Sequence, residues 1–493
     1  MNTKKVVVIG GGIAGLSTAA LLAKDGLQVT LLERNATLGG RGRVLREKGF
    51  TFDMGPSWYM MPDVFEDYFK LFGQDISHYL NLVRLPVHYK IFFPQNKTYE
   101  ISKDLENNLD LFEKNEPNGR EKLKSYLAKS KYLYDTAMHD LVFQDYQSYK
   151  PFLSFSLLSK LFTLDIFRSF HDSIKSQFSN PHLQKILEFT TVFLGGSPYN
   201  TPAFYSLISH TDFNMGIFYP MGGMGKIFEA LEMLCKENGV DIQTNQDVSK
   251  ICVENGAASK VMTTTGEYDA DIVVSSADYH FSETRLLESK WQTYPESYWQ
   301  KKVLSPSAFV MYLGLNTRLK NISHHNLYFE DSWEKHFNTV YGKSSWPEKP
   351  SFYFHCPSVT DQSVAPQDGE TLMVLVPVAA GLEDTDEIRE KYYLKIIQSL
   401  ETILGEKISD KIVMKKIFAH TDFSQAYNAY KGSAFGIAHT LFQTALFRPL
   451  NQSAKVRNLY YSGQYTNPGV GLPVCLISAQ IVRNAIMKQE VAK

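Results

Sequence analysis

Residues 4–41 read KKVVVIGGGIAGLSTAALLAKDGLQVTLLERNATLGGR, and this stretch restricts the start of the fold more than anything else in the chain. Val6 to Ile9 form an unbroken β-branched run, the pattern of a strand buried on both faces. Gly10, Gly12 and Gly15 follow at G-x-G-x-x-G spacing. Ile13 to Lys24 are helix formers with apolar positions at Leu16, Ala20, Leu21 and Ala23, and Gly26 sits where a helix C′ residue belongs. A second strand, Val29 to Leu32, ends in Glu33. The order strand, turn, helix, strand, acid predicts a parallel βαβ unit.

Each part of that unit has a task in holding a dinucleotide. Gly10 makes the tight turn, Gly12 lets backbone N–H groups approach a pyrophosphate, and Gly15 lets helix and strand come close. Ile13 and Ala14 open the helix, whose N-terminus offers partial positive charge to phosphates. Glu33, 23 residues after Gly10 and followed by Arg34, is placed to accept hydrogen bonds from the adenosine ribose. A bare glycine turn would fit a ligand-free packing unit equally well; strand, helix and acid together favour the dinucleotide.

The balance of 51 Lys and Arg against 52 Asp and Glu leaves no field to attract nucleic acid, which argues against such a partner. Cys235, Cys252, Cys356 and Cys475 are scattered without C-x-x-C or zinc spacing, so neither a disulfide framework nor a structural metal is expected, in keeping with a reducing compartment. At 493 residues the chain should form two or three domains. No apolar run approaches the ~18 residues of a membrane span.

Further along, GIFYPMGGMGKIFEALEMLCKENGVDIQTNQDVSKI predicts a helix over Met224–Glu237 ended by Gly239, then strands at Asp241–Thr244 and Asp247–Val253 and a turn at Asn255-Gly256. At the far end, NLYYSGQYTNPGVGLPVCL predicts a strand, a turn holding Gly463, Gly469 and Gly471, and a helix starting near Leu472, with Pro473 in its first turn at no hydrogen-bond cost. SAFVMYLGL, TLMVLVPVA and Phe352–His355 read as strands of a mixed sheet.

The segment after Glu33, with Gly39, Gly40 and Arg41 and then Gly55, Pro56 and Ser57, resembles the FAD-binding start of the flavin amine oxidase and carotenoid desaturase superfamily. With FLGGSPYNTP, GIFYPMGGMGKI, SFYFHCPSVTDQSVAPQDGETLMVLVPV, NAYKGSAFG and the C-terminal turn, the whole chain is similar to the bacterial phytoene desaturase family. The resemblance implies FAD as cofactor, with the Gly39-Gly40-Arg41 turn against the diphosphate, backbone near Val248 close to the adenine, and Gly471, Leu472 and Pro473 presenting a helix start to the flavin ring. Such a terminus would stabilise the negative charge that builds up as flavin takes a hydride. Many flavoproteins place an acid after the strand glycine to bind the ribityl chain; here Gly463 precedes Gln464.

The same resemblance implies an α/β fold: a Rossmann-like FAD-binding domain in discontinuous segments (1–70, 218–278, 452–493), a mixed β-sheet substrate domain (71–110, 279–451) and a helical cap or membrane-associated region (111–217). It implies removal of hydrogen across C–C bonds of a linear polyene such as phytoene or diapophytoene. A later carotenoid, a redox-neutral isomerisation, an amine or protoporphyrinogen oxidase, and a non-catalytic prenyl-lipid escort are the rival readings. No catalytic base can be named: His355, Asp361 and His420 read best as ordinary structural residues. A carotene substrate implies a cytoplasmic protein lying on a membrane surface. Residues 141–178 carry Leu158, Leu161, Phe162, Ile166, Phe170 and Ile174 at helical spacing, flanked by Lys160, Arg168 and Lys175, as an interfacial helix or a core helix would. Trp58, Met60 and Met61 suit a channel wall or a core.

Overall fold

The computed structural model describes residues 3–144, 165–342 and 345–491. The opening motif forms strand Lys5–Ile9, helix Ile13–Lys24 and strand Gln28–Leu32. Around it lies a five-stranded parallel sheet in the order Leu459–Tyr461, Ile272–Ser275, Lys5–Ile9, Gln28–Leu32, Asp241–Gln243. Its strands therefore come from both ends and the middle of the chain. The N-terminal strand is central, and Val6 to Ile9 are all 4% exposed or less, which is why that run carries no polar alternation.

Three helices, Ile13–Lys24, Gly225–Glu237 and Leu472–Val491, share one apolar core with this sheet. Ala19 and Ala20 are fully buried in it, small enough to let helices pack closely. Met224 proves to be the residue capping the middle helix, and Gly239 ends the turn after it at φ +79°. Asn255 and Gly256, at φ +51° and +74°, turn a hairpin between Val248–Glu254 and Ala257–Thr263, the geometry an Asn-Gly pair favours.

A second, seven-stranded sheet runs Ile412–Phe418, Ser307–Leu315, Glu370–Val378, Phe352–His355, His325–Tyr328, Val87–Phe93, Lys97–Ser102. It is mixed: only His325–Tyr328 and Val87–Phe93 pair in parallel. Ser307–Leu315 is buried along its whole length.

Of the apolar stripe read over 141–178, Leu158, Lys160, Leu161 and Phe162 lie outside the described residues. Phe170 and Ile174 sit on a short helix, Phe170–Lys175, and are fully buried against Phe112, Phe178 and Leu183. Those two side chains are core, drawn in because apolar area gains more from burial beside a ring cluster than from a headgroup surface.

Candidate active site

The first glycine turn is shaped by contacts that leave no room for side chains. Gly10 has φ +101°, and its N–H donates to the Leu32 carbonyl at 2.8 Å. A Cβ on Gly15 would stand 1.8 Å from the Gly10 carbonyl oxygen. The helix starting at Ile13 has no side-chain cap at Gly12, so its first N–H groups face outward unpaired by the chain's own caps. Glu33 is buried: Oε2 accepts from the Gly11 N–H at 2.8 Å, and Oε1 accepts from the backbone and side-chain nitrogens of Asn35 at 2.8 and 2.7 Å. The Gly39-Gly40 turn closes over this one, the Gly39 N–H donating to the Gly11 carbonyl, with the Gly40 Cα beside Gly12.

The C-terminal turn meets the same place. Strand Leu459–Tyr461 feeds Ser462, whose N–H donates to Ser275 and whose hydroxyl accepts from Thr18 at 3.0 Å. Gly463, at φ +125°, donates its N–H to the Ser478 hydroxyl on the last helix, and Gly471, at φ +133°, accepts the Cys475 N–H as that helix begins.

One cavity of about 630 Å³ runs between these turns and onward beneath the second sheet. Every site residue read from the sequence lines it, namely Gly10, Gly12, Ile13, Ala14, Glu33, Arg34, Gly39, Gly40, Arg41, Gly55, Pro56, Ser57, Val248, Gly463, Gln464, Gly471, Leu472 and Pro473, apart from Gly15, which is spent on helix–strand contact.

At its polar end several buried atoms have no hydrogen-bond partner among the described residues: Arg41 Nε and Nη2, Ser276 Oγ, Gln464 Nε2 and Asn467 Oδ1. Leaving such groups buried and unpaired costs about 1–3 kcal/mol each, so their convergence on one cavity marks a site for a polar ligand. A ligand carrying phosphates and hydroxyls satisfies all of them, as the two phosphates, ribose and ribityl chain of FAD would. The Arg41 guanidinium also lies 3.6 Å from the buried Asp278 carboxylate and 5.5 Å from the Tyr427 ring centre. Burial raises the Asp278 carboxyl above its ordinary range, opposed by Arg41 and by the Tyr465 hydroxyl, which donates to it at 2.7 Å.

The other end of the cavity is apolar. Trp58, Met60 and Met61 line it, joined by Phe189, Phe193, Trp333, Phe337, Val340 and Tyr341. The sequence reading missed the helix Trp333–Tyr341, because the periodicity of a cavity-facing helix is that of a core-facing one. It missed Ser276 and Asp278 too, although both follow a buried parallel strand at its carboxyl end, where open α/β sheets bind ligands.

Asp361 accepts N–H bonds from Gly222 and Ser363, and the His420 ring bonds the Ala379 carbonyl. Neither they nor His355 line the cavity. All four cysteines are free thiols.

Residues 13–487 match the model of the flavin containing amine oxidoreductase family. The chain is 41% identical to the carotenoid 3,4-desaturase of Haloarcula japonica, over 99% of each chain. It is 33% identical to a zeta-carotene-forming phytoene desaturase of Myxococcus xanthus, covering 98% of this chain and 94% of that one. It is 31% identical to a Staphylococcus aureus 4,4'-diapophytoene desaturase, covering 98% and 99%. Among solved structures, a putrescine oxidase superposes with a TM-score of 0.65 at 14% identity over 99% of both chains. An oxidoreductase from Methanosarcina mazei gives 0.62 at 20% identity, over 98% of this chain and 100% of that one.

Proposed function

The chain belongs to the flavin containing amine oxidoreductase family, as a carotenoid desaturase using FAD, and we propose that it dehydrogenates an acyclic polyene such as phytoene or diapophytoene. The observation that carries this reading is the continuity of one cavity from a polar cradle, with donors that lack a hydrogen-bond partner, to an aromatic arm lined among the described residues by no carboxylate, lysine or arginine. A polyene has no polar group to recognise, so shape and apolar area must hold it, at about 25 cal/mol per Å² buried.

When bound, FAD supplies the two-electron acceptor that takes a hydride from a carbon next to the conjugated system. In this reading Gly10, Gly12 and the Ile13 helix start hold the diphosphate, with Arg41 adding charge. Glu33 takes the adenosine ribose, Val248 lies by the adenine, and Gln464 replaces the acid that other flavoproteins offer the ribityl chain. Gly471, Leu472 and Pro473 turn a helix start toward the ring, where partial positive charge favours the reduced state. Ser57 and Trp58 stand between cradle and arm.

A membrane is the natural source of such a substrate. No helix among the described residues is long and apolar enough to cross one. Phe442 and Phe447, 71% and 53% exposed with ring centres 5.8 Å apart, flank Thr444 and Ala445, which line the cavity. We read this aromatic pair as the part of the surface that dips into lipid at the cavity mouth, since large apolar side chains left in water beside an opening mark a contact surface.

The test is product analysis after supplying phytoene, diapophytoene or a hydroxylated carotenoid in liposomes to FAD-loaded protein. New conjugated double bonds from the acyclic hydrocarbons are expected. Isomerised but undesaturated polyene, or conversion of the hydroxylated substrate alone, would contradict the reading.

A further inference from the structure

Desaturation on this reading removes a hydride and then a proton, yet among the described residues no carboxylate lines the apolar arm to accept the proton. From the cavity wall, however, a chain of polar groups leads inward. Ser57 and Tyr353, both lining the cavity, share a hydrogen bond of 2.9 Å. The Tyr353 hydroxyl and His325 Nδ1 lie 2.7 Å apart. His325 is fully buried, stacked on Trp58 at 4.1 Å and 8°, and its Nε2 has no hydrogen-bond partner among the described residues. Beyond it, His324 and His355 pair through their Nε2 atoms at 3.0 Å, and the ligand nitrogens of all three histidines lie within 4.8 Å of one another. That span is closed by a ring rotation or one bridging water. His324 Nδ1 meets the hydroxyl of Thr360, a partly exposed residue, at 2.8 Å.

We propose that Ser57, Tyr353, His325, the His324–His355 pair and Thr360 form a proton exit, with His325 the general base acting through the Tyr353 and Ser57 hydroxyls. The proposal rests on the desaturase reading. One substrate C–H bond breaks with its electron pair going to FAD, leaving a cation spread over the polyene. The neighbouring C–H bond then breaks, its electrons form the new C=C bond, and its proton passes to the Ser57 hydroxyl as that oxygen's own proton moves to Tyr353 and on to His325 Nδ1. His325 returns a proton from Nε2 toward His324 and Thr360.

A proton next to a carbocation is strongly acidic, so a weak base suffices to take it, and takes it faster the more basic it is. Burial, together with the facing His324, His355 and His88, keeps the His325 imidazole well below its ordinary range. Both effects favour the uncharged ring, the form that can accept a proton.

His325→Ala and Tyr353→Phe should each lower desaturation about 100-fold or more. FAD content should not change, and the trapped cation should return as isomerised substrate. Added imidazoles should restore His325→Ala in proportion to their basicity, which a packing role would not produce. His420→Gln, at a buried histidine elsewhere, should match the wild type. In wild-type protein, nitrogen NMR of labelled histidine should find the His325 ring neutral at pH 6. The proposal is overturned by full desaturation in His325→Ala, by loss without imidazole rescue, by a His325 imidazolium at pH 6, or by elemental analysis finding a metal bound to the three rings. Failure of the wild type itself to desaturate any polyene would instead sink the underlying reading.

Discussion

A Cβ built on Gly463 lies 3.3 Å from the Cβ of Ala14, so the last turn of the chain rests directly on the first helix. Two glycine-rich turns at opposite ends of the sequence are thereby walls of one cavity. Gly463→Ala adds both this contact and an L side chain at φ +125°, a region that costs about 1–3 kcal/mol. The variant should melt several degrees lower and retain FAD at least tenfold more weakly, measured by flavin fluorescence titration. Unchanged affinity would mean that the seam between the termini does not shape the cofactor site.

Glu33 is satisfied on both oxygens by protein N–H groups and still faces the cavity. Glu33→Ala removes a charged acceptor from Gly11 and Asn35, an interaction of about 1.5–3 kcal/mol each. Flavin should wash out on gel filtration, with an affinity loss of at least tenfold. Glu33→Gln, which keeps one acceptor oxygen, should lose less.

Asp212 is buried; among the described residues the Tyr89 hydroxyl donates to its Oδ2, at 2.7 Å, and Oδ1 has no hydrogen-bond partner. Burial raises its carboxyl from 3.8 to about 7. The native state therefore binds more protons than the unfolded one between those values, and the stability this group contributes is present below pH 3.8 and lost as pH rises through about 7. Asp212→Asn keeps an acceptor for Tyr89 and cannot ionise. Chemical denaturation should find it more stable than the wild type at pH 8, by an amount up to roughly 4 kcal/mol, with the gap closing toward pH 5. A gap that widens on acidification would contradict the assignment.

How much of this was readable beforehand depends on what each residue answers to. The opening helix was placed at its final ends, Ile13 and Lys24, because glycine turn, apolar periodicity and C′ glycine are all local signals. The convergence of Gly463 on Ala14 is not local; only resemblance brought it into view. His325, Tyr353 and Ser57 carry no shared spacing in sequence: the first two meet through the pairing of His325–Tyr328 with Phe352–His355 in the second sheet, and Ser57 reaches Tyr353 from the loop after Phe50–Asp53. Phe170 and Ile174 have the periodicity of a membrane-facing stripe, yet which surface such a stripe meets is decided by tertiary neighbours.

Phe442 and Phe447 supply a direct test of substrate entry. The double substitution Phe442→Ser and Phe447→Ser removes exposed apolar area only, so folding and flavin content should be unchanged. Sedimentation with liposomes should weaken severalfold, and KM for a liposomal polyene should rise while kcat holds. Equal sedimentation would place the lipid contact elsewhere.

The central claim is that one cavity brings a flavin and a polyene together for two-electron transfer. Anaerobic mixing of FAD-loaded protein with phytoene or diapophytoene in liposomes tests it most directly, following flavin absorbance and polyene absorbance in the same cuvette. The account predicts bleaching of one flavin for each double bond formed. Flavin that stays oxidised in the presence of either acyclic polyene, while a hydroxylated or cyclised one bleaches it, would contradict it.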